Sequence, residues 1–201
     1  MNFVEWTEKL INEQIVKHKN DSSKEGTPNI LIVGPGYNPN ADPNPNCNVI
    51  IPESGKPFDE WISEFRMSED FVLFDCIILS RVLEHIPVRE IDWHVYQLYT
   101  IIKDDSDLIV IVPDMPAVCK MMTEEDEKET PNEFLMERLT YELLSEGPHV
   151  FDRHAFWSSL NSVKRLLEKE KLFSVNKDDC GMIEIDSTIV PPELLIFAKR
   201  V

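Results

Sequence analysis

Basic residues are scarce in this chain: Lys and Arg number 20 against 37 Asp and Glu, a formal net charge of −17. Nucleic-acid binding relies on clustered Lys and Arg to neutralise phosphates, so the balance argues against a nucleic-acid groove. Runs such as Glu124-Glu-Asp-Glu-Lys-Glu129 read instead as solvated surface. Long apolar runs are missing as well. No stretch approaches the roughly 20 apolar residues that a membrane helix needs. The first residues, Met1 to Lys9, lack the basic-then-apolar order of a secretory signal. The expectation is a soluble, cytoplasmic protein with no membrane partner. Cysteine is sparse, and Cys47, Cys76, Cys119 and Cys180 include no Cys-x-x-Cys pair. That pattern fits neither a disulfide framework nor a zinc spacing, and no metal is expected.

What remains is a 42% hydrophobic chain of 201 residues, enough for one domain with a sizeable core. Residues 76–79, Cys-Ile-Ile-Leu, are apolar at every position, the pattern of a strand buried on both faces of a parallel sheet. Ser80 ends this run as a helix-opening residue, 81–86 reads as a short helical turn, and Pro87 stops it. Residues 29–33, Asn-Ile-Leu-Ile-Val, form a second such strand running into Gly34-Pro-Gly36. Glycines directly after a strand let the backbone turn tightly and approach a ligand closely. Residues 37–48 are rich in Asn and Pro and cannot form a regular helix, so they read as a long irregular loop. Further strands fall at 49–51 and 108–112. In an open α/β sheet, ligands bind beyond the carboxyl ends of the strands, where 80–85 falls. Glu53, after the strand at 49–51, suits a ribose diol because a carboxylate accepts from both hydroxyls.

Helical periodicity covers 2–19, where Phe3, Trp6, Leu10, Ile11 and Ile15 share a face, and also 58–65 and 90–103. It covers 132–145 too, with Phe134, Leu135, Leu139 and Leu143 or Leu144 inward. A helix capped by Asp152 is expected over 153–169, and 182–185 is expected to pair with 194–199 as closing strands. Alternating strands and helices predict an α/β fold in a single domain, 1–201. Within it, 1–28 is an N-terminal helix and linker, and the acidic, Met-containing 117–155 is a lid or insertion. The N-terminal helix packs on its own domain or offers a face for a homodimer.

Ile30-Leu-Ile-Val-Gly-Pro-Gly36, then Phe74-Asp-Cys-Ile-Ile-Leu-Ser-Arg-Val-Leu-Glu-His-Ile86, then a helix and Leu108-Ile-Val-Ile-Val-Pro-Asp114, resemble the class I S-adenosylmethionine-dependent methyltransferases. The resemblance covers 29–116, with a weaker echo at 149–157, and Val-Leu-Glu-His-Ile is its most specific part. It implies a Rossmann-like methyltransferase fold: a mainly parallel seven-stranded sheet with an antiparallel closing strand and helices on both faces. It also implies S-adenosylmethionine as cofactor. Gly34, Pro35 and Gly36 would lie under its methionine part, Glu53 would face the ribose, and Ser80 with Arg81 would line the sulfonium side. Tyr37 would offer an aromatic face to the cation. The family's acidic residue near the adenine falls at Glu69 or Asp70, and Glu84 and His85 are mostly structural in that family.

The resemblance implies an enzyme that transfers a methyl group to a small-molecule or protein acceptor, with catalysis largely by proximity and orientation. A general base is needed only if the acceptor loses a proton. Asp114, His149 and His154, with Asp152 beside them, are the candidates. The alternative is a methyltransferase-like scaffold without catalysis that binds or assembles partners. A missing third glycine, the Pro-rich loop and the acidic surface motivate it.

Overall fold

The computed structural model describes residues 3–21, 26–34, 47–50, 56, 58–144, 158–183 and 193–201. In chain order the elements are α1 (Phe3–Asn20), β1 (Asn29–Val33), β2 (Asn48–Ile50), α2 (Phe58–Met67), β3 (Phe74–Ser80), α3 (Val88–Ile101) and β4 (Ile102–Pro113). There follow α4 (Met115–Asp126), α5 (Glu133–Leu144), α6 (Leu160–Leu167), β5 (Phe173–Val175), β6 (Gly181–Met182) and β7 (Glu193–Arg200).

All seven residues of β3 are buried, because helices cover both faces of the sheet around it. On one face Leu10, Ile11 and Ile15 of α1 pack on Ile30, Ile32, Cys76, Ile78, Ile109 and Ile111. On the other, Trp61 and Ile62 of α2, Ile91, Val95 and Leu98 of α3, and Val163 and Leu167 of α6 share one core with the alternate strand residues. The apolar stripe of α1, offered by the sequence to the domain or to a homodimer, is thus covered by the chain's own sheet. No described helix is long and apolar enough to cross a membrane.

The seven strands form one sheet in the order β2-β1-β3-β4-β7-β5, with β6 also pairing β7. β2, β1, β3 and β4 are parallel, and β7 runs antiparallel to β4, from Pro113 opposite Glu193 to Asp107 opposite Lys199. The mainly parallel sheet with an antiparallel closing strand is therefore as expected. Its amino end is tied by Asp75, whose carboxylate accepts from Lys103 Nζ at 2.8 Å on both oxygens and from the Asn29 amide at 3.0 Å.

Several expectations need correction. Ser80 is the last strand residue rather than a cap: Val82 precedes the single turn of 3-10 helix at Leu83–His85, with no side-chain cap bond. The helix expected over 90–103 ends at Ile101, and β4 begins at once, with 104–106 in a bulge where Cys76 pairs with Asp107 after Phe74 pairs with Ile102. The helix expected over 153–169 starts at Leu160, because Ser159 is extended (φ −149°) and makes a reciprocal capping box with Ser162. Asp152 lies outside the described residues. The expected closing pair is shared: β6 meets Leu194 and Leu195, while unanticipated β5 meets Ala198 to Arg200. On α5, Phe134, expected inward, is exposed, while Leu139 is buried as expected and Leu135 is half-buried.

The first part of the expected lid, 117–126, lies in α4, which continues through a turn into α5. The buried Glu125 organises that turn. It accepts from Lys128 Nζ at 2.5 Å and from the Asn132 amide at 2.7 Å. The Lys128 hydrogen bond, then that of Asn132, holds its carboxyl below the usual carboxylate range. A depressed carboxyl adds stability that is present above its unfolded pKa and lost as pH falls through its folded one. Glu125→Gln should accordingly lower Tm at pH 7, and the gap from the parent should close below about pH 4. A gap that stays constant down to pH 3 in thermal melts would contradict this role.

Candidate functional site

β1 and β3 run parallel in register, Ile32 opposite Ile78 and Val33 opposite Leu79, so their carboxyl ends reach the same level. One residue further, Gly34 turns the chain with φ +98°, in the left-handed region that favours glycine. A Cβ there would stand 1.8 Å from the Ser80 carbonyl oxygen and 2.8 Å from Val82 Cγ2. The backbone of β1 therefore lies directly against the segment leaving β3. Only a residue without a side chain fits.

Strand alternation places Ser80 on the same face as Cys76 and Ile78, the face that α1 covers lower down. Ser80 is fully buried, and its hydroxyl has no hydrogen-bond partner among the described residues. A buried hydroxyl without a partner costs about 1–3 kcal/mol. A ligand, a water or a residue outside the described ones can complete it.

Arg81 follows with φ +51°, unusual for a side-chain-bearing residue. Its amide donates to the Ile111 carbonyl at 2.9 Å, which fixes the left-handed turn to the end of β4. Its guanidinium reaches over β4 to Glu193, with Nε 2.7 Å and Nη2 2.5 Å from Oε1. Glu193 is 2% exposed and opens β7 opposite Pro113. By alternation with Leu195 and Phe197 it lies on the same face as Ser80. Two strand spacings, about 10 Å, separate Ser80 from Glu193.

Behind this surface, Leu83 and Glu84 are buried, and His85 Nε2 stands 4.0 Å from Glu84 Oε1. That placement supports the structural role expected of the pair. At the end of β4, Asp114 is half-buried and caps α4, its Oδ1 accepting from the Ala117 amide at 3.4 Å. Ser158 locks the same corner: its hydroxyl donates to the Pro113 carbonyl at 2.5 Å, and its own carbonyl accepts from the Met115 amide.

Of the residues named from the sequence, Gly34, Ser80 and Arg81 come together here, with Asp114 one strand away. Pro35, Gly36, Tyr37, Glu53, His149 and His154 lie outside the described residues. Glu69 and Asp70 do not approach the crevice. They sit in the exposed turn before β3, at the amino end of the sheet, because α2 carries the chain back there. Glu193 and Ser158 escape a reading of the sequence, although Pro191-Pro192 and the Ser159–Ser162 capping pattern mark their neighbourhoods.

A cavity of about 730 Å³ lies elsewhere, lined by Asp105, Asp107, Lys17, Asn176 and Lys199 at the amino end of β4. Its charges alternate in sign and pair with one another, as in Lys17 with Asp107 and Lys199 with Asp105. The close backbone approach at Gly34, at the carboxyl ends of parallel strands where open α/β sheets bind ligands, makes that end the candidate ligand site.

No family model matches the chain, and no curated protein matches it. Solved structures do. A 1,6-didemethyltoxoflavin-N1-methyltransferase of Burkholderia thailandensis, with 1,6-didemethyltoxoflavin and S-adenosylhomocysteine bound, aligns with TM-score 0.52 at 11% identity, over 94% of this chain and 77% of its own. The magnesium protoporphyrin IX methyltransferase ChlM of Synechocystis, with S-adenosylhomocysteine bound, aligns with TM-score 0.51 at 10% identity, over 100% and 89%. The N-methyltransferase NodS of Bradyrhizobium japonicum, in complex with S-adenosylhomocysteine, aligns with TM-score 0.50 at 12% identity, over 96% and 87%.

The close approach at Gly34 can be separated from its backbone strain. Gly26 is also left-handed (φ +89°) but has no atom within 4 Å of an added Cβ. Gly26→Ala should cost only the strain, about 1–2 kcal/mol. Gly34→Ala must also displace the Ser80 backbone, so it should cost clearly more or abolish folding. Equal losses in urea titrations of the two variants would contradict the contact.

Proposed function

We propose that this chain, which has the fold of the class I S-adenosylmethionine-dependent methyltransferases, is a methyltransferase acting on a small-molecule acceptor. The observation that carries the reading is the junction of Gly34 with Ser80, a left-handed turn whose backbone lies against that of β3, beside a buried hydroxyl with no partner among the described residues, at the carboxyl ends of neighbouring parallel strands. A ligand can press against that backbone and complete the hydroxyl's hydrogen bonding. The group implied by the fold is S-adenosylmethionine, which when bound supplies an activated methyl on a sulfonium centre. Gly34 and Ser80 would hold it, with Arg81 and Glu193 alongside. Residues 35–37 and Glu53 stay candidates for the same role on the strength of the sequence resemblance. Small-molecule acceptors are supported by the name of the toxoflavin enzyme that shares the fold.

The protein's part is to orient an acceptor nucleophile and exclude water, since methyl transfer needs alignment more than acid–base help. Where the acceptor loses a proton, Asp114 at the end of β4 is the described candidate, and His149 and His154 are further ones. The α4–α5 hairpin would serve as the acceptor-side lid. Four unbridged cysteines support a reducing, cytoplasmic setting. Burial pushes the Cys47 and Cys180 thiols up, which argues against either as a nucleophile.

Calorimetric titration with S-adenosylmethionine and S-adenosylhomocysteine tests the proposal, using the parent and Ser80→Ala. The parent should bind both ligands at micromolar concentration. Ser80→Ala should raise Tm slightly, because a buried unpartnered hydroxyl is removed, yet weaken binding about tenfold through its lost hydrogen bond. Absence of heat and of thermal shift with both ligands would sink the enzyme reading and leave the scaffold alternative.

A further inference from the structure

We propose that the Arg81–Glu193 ion pair sets how the crevice discriminates a cationic sulfonium ligand from its neutral thioether product. The inference rests on the methyltransferase reading above and assigns a role in it to Glu193. S-adenosylmethionine and S-adenosylhomocysteine differ by one methyl group and one positive charge. A charge fixed near the sulfur therefore alters their relative affinity, whereas shape-based contacts act on both.

Arg81 stands where such a charge would count. It directly follows Ser80, and the backbone from Ser80 to Val82 is the surface against which Gly34 lies. Its left-handed turn and its amide bond to Ile111 fix it there, at the carboxyl ends of β3 and β4. A bare guanidinium in that place would repel a sulfonium. Glu193 changes the balance. Its Oε1 takes both Nε and Nη2 of Arg81, and at 2% exposure it works in a medium far less polarisable than water. The pair sets a negative charge directly against the cation at the carboxyl ends of β3 and β4. An ion pair with one buried and one part-exposed partner, as here, adds little stability over apolar residues of the same shape, so stability alone is a weak reason to hold it. Neither residue is catalytic. Both position charge.

Removing Glu193 shifts the local charge by one positive unit, and removing Arg81 shifts it by one negative unit, whatever else each residue touches. The test is a cycle of Glu193→Gln, Arg81→Gln and the double variant, with dissociation constants for S-adenosylmethionine and S-adenosylhomocysteine measured by calorimetry. Glu193→Gln should weaken S-adenosylmethionine relative to S-adenosylhomocysteine by about tenfold. Arg81→Gln should move the ratio about as far the other way, and the double variant should return it to within about twofold of the parent. The two single variants move the ratio in opposite directions, so either alone decides the matter if the other fails to fold. A purely structural pair would lower both affinities together and leave the ratio unmoved, which overturns the inference while the methyltransferase reading stands. A parent that binds neither ligand overturns both.

Discussion

Burial of β3 on both faces is the constraint from which the rest of the architecture follows. A strand whose seven residues are all inaccessible must have neighbours on each side and a layer above and below. β1 and β4 supply the neighbours, α1 one layer, and α2, α3 and α6 the other. A parallel sheet covered in this way leaves its two ends as the places where polar groups can be useful. The chain treats those ends differently. At the amino end, Lys103 pairs with Asp75 and Lys17 with Asp107, while the buried Ser106 hydroxyl has no hydrogen-bond partner among the described residues. At the carboxyl end, Gly34 turns against the backbone of Ser80, whose hydroxyl has no partner among the described residues, with a charged pair beside them.

The close approach at the end of β1 is the physical argument for locating the site. Backbone at the end of β1 can come within contact of β3 only because residue 34 has no side chain and tolerates a left-handed φ. Arg81 adopts a left-handed turn without being glycine, held by its amide bond to Ile111. A left-handed φ in a side-chain-bearing residue persists where surrounding structure over-determines it; of the four such described residues, Arg81, Asp105, Glu170 and Lys171, Arg81 is the one beside Gly34 and Ser80.

The parts of this arrangement legible in the sequence are those encoded over short spans. Asn29-Ile-Leu-Ile-Val33 and Cys76-Ile-Ile-Leu79 announce buried strands because each neighbouring position is apolar, and Gly34 follows the first of them directly. Ser80 was placed at the crevice for a partly wrong reason: it ends the strand but caps nothing. What stayed hidden is long-range. Arg81 and Glu193 are 112 residues apart, and only the antiparallel return of β7 brings them together. Ser158 reaches Pro113 from 45 residues away. β5 is three residues long with an exposed centre, too short for alternation to distinguish it from a loop. Glu69 and Asp70 were assigned to the wrong end because their sequence position before a strand does not reveal which way α2 has carried the chain.

The central claim is that a ligand sits at the carboxyl ends of β1 and β3, against Gly34 and Ser80. A crystal structure of the protein with S-adenosylhomocysteine tests it most directly. The account predicts the thioether end of the ligand over the Gly34 turn, with the Ser80 hydroxyl or a water it holds completing a hydrogen bond. Density for the ligand at the amino end of the sheet, or none at saturating concentration, would contradict it.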